Sequence, residues 1–383
     1  MRILYSHRIQ SRDGQGVHLE AMVASLRQLG HEVRLVGPSG FDRASLGQDS
    51  ALVSRLREGL PGWAAELAEL AYAAPATLRL ARAAAEFRPD FIYERANLFH
   101  VAGRVVAARR RIPLLLEVNA PLAHERARFG GLSLPRLAAG TEHYAWRGAD
   151  RVLPVTRVLG DMVAAAGVPE ERITVVPNGI HLDEFPDPLP RPPGATITLG
   201  FVGFVRDWHG LDGVLRGIAA WSGPKPLSLV VVGEGPARSG LEALAAELGI
   251  GDRVSFTGLA DRASIPGHLA GFDIALQPAA VPYASPLKVF EYMAAARAIV
   301  APDQPNLREV LTHEHDALLF DPAEAGGFWR ALERLAADPD LRARLGAGAR
   351  RTVLERDLTW DGNARRVVAI AERELARREA ARA

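Results

Sequence analysis

The sequence contains no cysteine, so disulfides, zinc thiolate sites and cysteine nucleophiles are excluded. Its formal net charge is only +1, whereas a dedicated nucleic-acid-binding protein usually has a strong basic excess. No apolar run approaches the ~20 residues of a membrane-spanning helix, and no signal-peptide core precedes the first strand pattern. We therefore expect a cytoplasmic protein that binds no nucleic acid and makes at most weak peripheral contact with membranes.

Lysine is nearly absent as well, since Lys225 and Lys288 are the only lysines among 46 basic residues. Where arginine is the usual cation, a lysine within a motif suggests a need for a compact ammonium group. The rest of the composition, with 48% hydrophobic and 24% charged residues, is that of an ordinary globular protein. A chain of 383 residues has the length of about two domains.

Short apolar runs alternate with longer helical patterns along most of the chain, which is typical of parallel α/β sheets. The proline-rich segment 186–193 separates two such series and is the best linker candidate. We therefore predict two Rossmann-like domains facing each other across a cleft, at residues 1–185 and 195–358, and a C-terminal helix at 359–383. The predicted strands are 2–6, 32–37, 90–93, 114–118, 152–155, 173–176, 197–202, 227–232, 254–256, 274–276, 298–301 and 317–320.

The segment 285–295, Ser-Pro-Leu-Lys-Val-Phe-Glu-Tyr-Met-Ala-Ala, is the most informative part of the sequence. Ser285 can cap a helix, and Pro286 suits the first helical turn. Lys288 would then lie near the positive end of the helix dipole, which suits a cation only if an anion also binds there. Glu291 lies on the same helix face, within reach of a hydroxyl attached to that phosphate. The pattern favours a nucleotide-sugar site, and an exposed Lys–Glu pair is the alternative.

Three glycine-containing turns are further candidates for phosphate binding. The glycines of the first two turns are Gly14, Gly16, Gly233 and Gly235. Neither of these turns completes a dinucleotide fingerprint, so phosphate binding and tight packing are about equally expected. The third turn, 203–210, places Arg206, Trp208 and His209 after the first strand of the second domain, where open α/β sheets bind ligands. We favour a phosphate contact for Arg206.

No cluster of residues suggests a metal site. The His-Glu-His sequence at 313–315 lacks the helical spacing of zinc ligands and precedes a predicted strand. The Asp-Pro-Asp sequence at 338–340 lies between helical patterns and is expected to be an N-cap region. No Gly-x-Ser-x-Gly elbow supports serine hydrolysis.

With these motifs, the chain resembles the family 4 glycosyltransferases, which are retaining enzymes with the GT-B fold that use nucleotide-sugars. The resemblance covers nearly the whole length. It implies that the C-terminal helix crosses back to the N-terminal domain. It also implies metal-independent transfer from a UDP-sugar or GDP-sugar, with no other cofactor. The motifs are the glycine-rich opening loop and the segments 152–156, 173–180, 203–210, 231–236, 256–258, 285–295 and 317–322.

The resemblance also implies residue roles. Arg206 and Lys288 would bind the diphosphate, and Glu291 would bind the nucleotide ribose. Tyr283 stands where the family has its first glutamate, so the donor sugar does not follow from the resemblance. The other implied donor contacts are Gly14, Gly16, Asn119, His209, Gly233, Gly235, Thr257, Gly258, Ser285 and Leu287.

The acceptor stays open at this point, as a saccharide, a lipid-linked saccharide or another small molecule. Candidate acceptor contacts in the N-terminal domain are Arg8, His18, Glu94, Arg95 and Asn97. Two alternatives share the fold: a nucleotide-sugar 2-epimerase, which forms no new glycosidic bond, and a non-catalytic nucleotide-sugar-binding protein.

Overall fold

The computed structural model describes residues 1–9, 14–38, 60–187 and 194–381. These residues form two compact units. The first unit comprises Met1–Pro177 and Trp360–Ala383, and the second comprises Asn178–Thr359. The chain therefore leaves the first unit once and returns to it at the C-terminus.

The boundary between the units lies after Pro177, whereas the sequence places the end of the first domain at residue 185. The reason is that Ile180 and Phe185 are buried in the hydrophobic core of the second unit. Most of the predicted linker, residues 188–193, lies outside the described residues.

The first unit is built around a parallel sheet of five strands in the order β2-β1-β3-β4-β5. Strands β3 and β4 are buried along their whole length because helices cover both faces of the sheet, which explains their continuous apolar character. The strands are β1 (Arg2–Ser6), β2 (Glu32–Val36), β3 (Phe91–Arg95), β4 (Leu114–Val118) and β5 (Arg151–Pro154).

The helices of the first unit pack apolar stripes on this sheet. Helix α3, for example, buries Leu80, Ala84 and Phe87 at helical spacing. Up to residue 177 the described helices are α1 (Gly14–Gln28), α2 (Gly62–Ala71), α3 (Ala73–Phe87), α4 (Ala102–Arg110), α5 (Leu122–Phe129), α6 (Pro135–Gly148) and α7 (Arg157–Ala165).

The C-terminal helix α15 (Trp360–Ala380) packs within the first unit. The buried Trp360 makes an edge contact with His18 of α1, with the ring centres 4.5 Å apart. Near its other end, the buried Glu374 pairs with Arg151 at 2.5 Å. These contacts confirm the prediction that this helix crosses back to the N-terminal domain.

The second unit contains a parallel sheet of six strands in the order β11-β10-β9-β6-β7-β8. The strands are β6 (Ile197–Val202), β7 (Leu227–Val232), β8 (Val254–Gly258), β9 (Ile274–Leu276), β10 (Ala298–Pro302) and β11 (Leu318–Phe320). Two hydrophobic cores, one on each face, enclose the sheet.

The helices of the second unit include one whose start the sequence predicts. Asp338 caps α14, because its Oδ1 accepts the Leu341 N–H at 2.8 Å. The helices are α8 (Leu211–Ala220), α9 (Arg238–Glu247), α10 (Ile265–Ala270), α11 (Leu287–Ala294), α12 (Pro305–Arg308), α13 (Gly327–Ala337) and α14 (Pro339–Glu355).

One predicted strand, 173–176, is wrong. Ile173 forms only an isolated bridge to Val152. The Thr174 N–H donates to the Val152 carbonyl, but the return bond of a parallel ladder would need an N–H at residue 154, which is proline. The other predicted strands are present, with small shifts at their ends.

Candidate functional site

Strands β6 and β9 are neighbours at the point where the strand order of the second sheet reverses, and their pairing ends at Gly200 and Ala275. Beyond that point, the buried Tyr292 hydroxyl accepts the Val202 N–H at 3.0 Å and donates to the Leu276 carbonyl at 3.2 Å. Tyr292 thus satisfies backbone groups that the diverging strands leave unpaired. Open α/β sheets bind ligands at such a reversal, so this edge is the first candidate site.

Helix α11 begins at this edge, but not with the predicted cap. The helix starts at Leu287 with Pro286 as its N-cap, so the prediction that Ser285 caps it is wrong. Ser285 instead contacts Asn178, whose backbone N–H donates to the Ser285 Oγ at 3.4 Å and whose side-chain amide donates to the Ser285 carbonyl at 2.6 Å. A proline N-cap offers no side-chain acceptor to the first helical N–H groups, which is compatible with a ligand oxygen there.

Lys288 extends from the first turn of α11 to the turn that follows β6. Its Nζ lies 4.0 Å from the centre of the Phe201 ring and 3.3 Å from His209 Nε2. A Cβ at Gly203 would lie 3.0 Å from Lys288 Cε, so the glycine leaves room for the lysine chain. Burial lowers the pKa of Lys288 to about 7, although Glu291 opposes the shift.

The hydrogen bonds of His209 fix its protonation. Its Nδ1 accepts the backbone N–H of Arg206 at 3.2 Å, so the proton of the neutral ring is on Nε2, which faces Lys288. Burial lowers the pKa of His209 to about 3, and the charges of Lys288 and Arg206 add to this effect. A neutral imidazole with its proton on Nε2 can donate to Lys288 only while the lysine is an uncharged amine.

Arg206 is the exposed cation of the same turn. Its guanidinium carbon lies 4.6 Å from the centre of the Phe204 ring and 5.1 Å from that of Trp208. The two rings hold the guanidinium beside the turn while leaving its N–H groups open to solvent. These N–H groups are therefore available to a phosphate that approaches this turn.

Glu291 lies one turn further along α11 and is mostly buried. Its carboxylate is 3.7 Å from Arg262 Nη1, and Arg262 also pairs with Glu184 at 2.9 Å. Burial raises the pKa of Glu291, whereas Arg262 and Lys288 oppose the rise. The ion pair of Glu291 is thus with Arg262, which argues against an exposed Lys288–Glu291 pair. Sequence reasoning missed Arg262, which lies in none of the motifs.

The glycines after β6 and β7 allow two turns to interlock. A Cβ at Gly233 would lie 2.1 Å from the Gly203 carbonyl oxygen, and a Cβ at Gly235 would lie 2.1 Å from the Val205 carbonyl oxygen. Close packing therefore accounts for Gly233 and Gly235 without a ligand. Their contact with the donor stays a prediction.

Thr257 and Gly258 lie at the carboxyl end of β8, two strands away from β6 in the sheet. A Cβ at Gly258 would lie 3.2 Å from a carboxylate oxygen of Glu234, in the turn after β7. Thr257 and Gly258 share the carboxyl edge of the sheet with Lys288 but are not among its contacts.

In the first unit, the buried Glu117 organises a cluster at the carboxyl edge of the sheet. Its carboxylate lies 2.6 Å from Arg95 Nη1 and 3.1 Å from His18 Nε2. It also accepts from the Tyr93 hydroxyl at 2.7 Å and from the Asn119 amide at 2.5 Å. Burial alone would raise the pKa of Glu117, but His18 and Arg95 outweigh it and lower the pKa. The predicted residues His18, Arg95 and Asn119 are therefore brought together by a glutamate that was not predicted.

The remaining predicted residues of the first unit lie at the start of α1 or at and just after the ends of β1 and β3. Gly14 and Gly16 lie in the first turn of α1. Glu94, at the end of β3, is buried and accepts a hydrogen bond from Ser6, while the Arg8 guanidinium donates to the Leu98 carbonyl at 3.1 Å. Asn97 follows β3, and its carbonyl accepts the backbone N–H of residue 100.

Within the described residues, no group of three or more histidine, aspartate or glutamate side chains is placed to hold a metal ion. None of the helices in that part of the chain combines the length and apolarity needed to cross a membrane.

Two family models match the chain. The model described as Glycosyltransferase Family 4 matches residues 12–184, and the model described as Glycosyl transferases group 1 matches residues 196–338. The MMP alpha-(1->4)-mannosyltransferase of Mycolicibacterium hassiacum is 28% identical, over 98% of this chain and 99% of that protein. The lipopolysaccharide core biosynthesis glycosyltransferase LpsD of Rhizobium meliloti is 35% identical over 44% of this chain and 47% of that protein.

Among solved structures, the crystal structure of Anabaena Alr3699/HepE in complex with UDP superposes with a TM-score of 0.75. The sequence identity is 18%, and the match covers 97% of this chain and 100% of the HepE chain. At this identity the likeness concerns the fold, and it confirms the predicted GT-B fold with two parallel-sheet α/β domains.

Proposed function

The chain belongs to the family 4 glycosyltransferases, and from that premise we propose that it transfers a sugar from a nucleotide-diphosphate sugar to an acceptor hydroxyl, with retention and without a metal ion. The observation that carries this proposal is the position of Lys288. Its ammonium group is half-buried beside Phe201 and His209, at the edge where an α/β sheet binds ligands.

The charge of the site matches a diphosphate leaving group. When the glycosidic bond to the diphosphate breaks, negative charge develops on the β-phosphate oxygen. Lys288, Arg206 and the first turn of α11 would stabilise that charge, and preorganised electrostatic contacts of this kind are worth ~2–4 kcal/mol each. Fixed cations would thus stabilise the leaving diphosphate, as a divalent metal ion does in other enzymes.

Retention follows if bond breaking and bond formation take place on the same face of the sugar. The acceptor oxygen bonds to the anomeric carbon as the diphosphate leaves, and the acceptor proton passes to the leaving β-phosphate oxygen. No protein nucleophile is required. The UDP bound in the HepE structure, and the UDP-glucose bound in another structure of that protein, support a nucleotide-sugar as donor.

Glu291 would position the nucleotide rather than the reacting atoms. A carboxylate held by Arg262 at 3.7 Å can accept hydrogen bonds from both ribose hydroxyls, and such charge-assisted bonds are stronger than neutral ones. The residue therefore contributes mainly to donor affinity.

Donor turnover in the absence of acceptor tests the proposal. We expect release of UDP or GDP from one member of a panel of UDP- and GDP-sugars, and Lys288→Ala should lower its rate by about tenfold or more. Lys225→Ala is the matched control, because Lys225 is half-buried like Lys288 and its Nζ donates to the Gly194 carbonyl, outside the proposed site. Equal rates in both variants would contradict the proposed role of Lys288.

Two further outcomes bear on the alternatives. Conversion of one nucleotide-sugar into its 2-epimer, without nucleotide release, would identify an epimerase. Tight donor binding without nucleotide release, either alone or with any acceptor of a broad panel, would identify a binding protein. Once an acceptor is known, the NMR coupling constant of the new anomeric proton reports retention or inversion.

A further inference from the structure

Arg262 lies in the short turn after β8, between two carboxylates. Its Nη2 is 2.9 Å from one oxygen of Glu184, and its Nε donates to the other oxygen at 3.3 Å. This two-point contact fixes the position and the plane of the guanidinium. The third nitrogen, Nη1, lies 3.7 Å from a Glu291 oxygen, which is an ion-pair distance but too long for a hydrogen bond. Arg262 therefore acts on Glu291 through its charge alone.

Glu291 has acceptor oxygens that the protein itself does not use. Its side chain is only 12% exposed, yet no hydrogen bond within the described residues is donated to its carboxylate. An ionised carboxylate has about four acceptor positions, and leaving them empty in a buried place is costly. Because Arg262 stays beyond hydrogen-bond distance, these positions are available to the hydroxyls of a ligand.

The charges that face Glu291 come from three elements. Burial raises the pKa of Glu291 and Glu184 adds to the rise, whereas Arg262, after β8, and Lys288, on α11, lower it. The two cations differ in permanence. The pKa of Lys288 is itself lowered to about 7, so this lysine loses its charge as the pH rises past 7. A guanidinium keeps its charge throughout, so Arg262 is the permanent cation beside Glu291.

We propose that Arg262 is a positioning residue of the nucleotide site, which keeps Glu291 ionised while leaving the carboxylate oxygens to accept both ribose hydroxyls. Glu184 holds the guanidinium at the distance that makes this possible. Arg262 acts through Glu291 and does not touch the donor. The arrangement selects a nucleotide that carries both ribose hydroxyls over its 2′-deoxy counterpart. The proposal rests on the function proposed above, because Glu291 meets a ribose only if the chain binds a nucleotide-sugar.

Calorimetric titration of the full chain with a ribonucleotide and with its 2′-deoxy counterpart tests the proposal. The probe pairs are UDP with 2′-deoxy-UDP and GDP with 2′-deoxy-GDP. The members of a pair share the base and the diphosphate, so the protonation of Lys288 and of the diphosphate cancels in the ratio of their dissociation constants. For the wild type we expect a preference of about tenfold for the ribonucleotide, equal at pH 6 and pH 8.

Variants separate the charge of Arg262 from its shape. Arg262→Gln removes the charge, so the pKa of Glu291 rises and its carboxyl group becomes protonated as the pH falls. The preference for the ribonucleotide should then drop about threefold or more from pH 8 to pH 6. Arg262→Lys keeps the charge and should restore the wild-type preference at both pH values. Arg330→Gln is the matched control, because it breaks an ion pair with Glu324 that lies outside the proposed site.

Three results would overturn the role of Arg262 alone. They are a preference in Arg262→Gln that equals the wild-type value at both pH values, one that drops equally at both, and a drop of the same size in Arg330→Gln. Equal affinity of the wild type for both members of each pair would overturn the ribose contact of Glu291 together with this proposal. Release of UDP or GDP from a nucleotide-sugar, measured separately, tests the transfer reaction independently of both.

Discussion

The half-buried Lys288 makes donor binding depend on pH in a direction that the structure specifies. In the free protein its pKa is lowered to about 7, so raising the pH above 7 removes its proton. A bound diphosphate stabilises the protonated form of Lys288 and raises its pKa again, because an opposite charge nearby favours the charged lysine. Donor affinity should therefore be highest below pH 7 and should fall as the pH rises. His209, with a pKa of about 3, stays neutral over this whole range.

The size of the effect follows from the protonated fraction. With a pKa of about 7, Lys288 is protonated in about three quarters of free molecules at pH 6.5 and in about 3% at pH 8.5. If the bound lysine stays protonated throughout, the donor dissociation constant rises about 25-fold between these two pH values. At pH 7, binding should take up about half a proton per donor molecule.

Titration calorimetry with a nucleotide-sugar measures both quantities, since the diphosphate of a nucleotide-sugar does not titrate in this range. The heat in two buffers of different ionisation enthalpy gives the number of protons taken up. Lys288→Arg is the control, because a guanidinium stays charged and should abolish both the proton uptake and the rise in dissociation constant. A wild-type affinity that is flat from pH 6.5 to 8.5, with no proton uptake at pH 7, would show that Lys288 is already charged in the free protein.

Three further predictions concern neighbouring features. Glu291→Gln should raise the donor KM and change kcat little, because the ribose contact is made equally in the ground state and the transition state; a loss confined to kcat would place Glu291 at the reacting atoms. Excess EDTA should leave steady-state activity equal to that in magnesium, and a large loss would show that a metal assists Lys288. Tyr292→Phe should lower the free energy of unfolding by ~1–3 kcal/mol in chemical denaturation, because the Val202 N–H and the Leu276 carbonyl lose their shared partner. An unchanged midpoint for Tyr292→Phe would mean that water replaces the hydroxyl.

The sequence predicts the parallel sheets well because apolar strands of three to six residues flanked by amphipathic helices have few other folding solutions. The C-terminal helix and the Asp338 cap are also predictable from local sequence, because helical periodicity and an N-cap each depend on residues that are close in the chain. The strand at 173–176 was wrong because its partner strand carries Pro154, a long-range detail that composition does not show. The Ser285 cap was wrong because Asn178, far away in sequence, provides the competing contacts.

The chemistry of the site was less predictable than its location. The segment 285–295 indicated Lys288 and Glu291, but periodicity shows only which face of a helix a residue occupies, not what it meets. Arg262 and its partner Glu291 lie on different elements of the second unit. Glu117 and the residues of its cluster likewise come from separate strands and helices of the first unit. Only the folded chain brings such partners within ion-pair or hydrogen-bond distance.

The interlocked turns after β6 and β7 have a consequence for exchanging segments between related enzymes. The carbonyl oxygens of Gly203 and Val205 occupy the space that side chains at Gly233 and Gly235 would need. The backbone shape of each turn is therefore complementary to that of the other. A chimera that takes only one of these turns from a relative receives a turn whose backbone is complementary to the relative's other turn and not to this chain's. Exchanging both turns together would keep them complementary. The smallest exchangeable unit at this edge of the sheet is therefore a pair of loops that are distant in sequence.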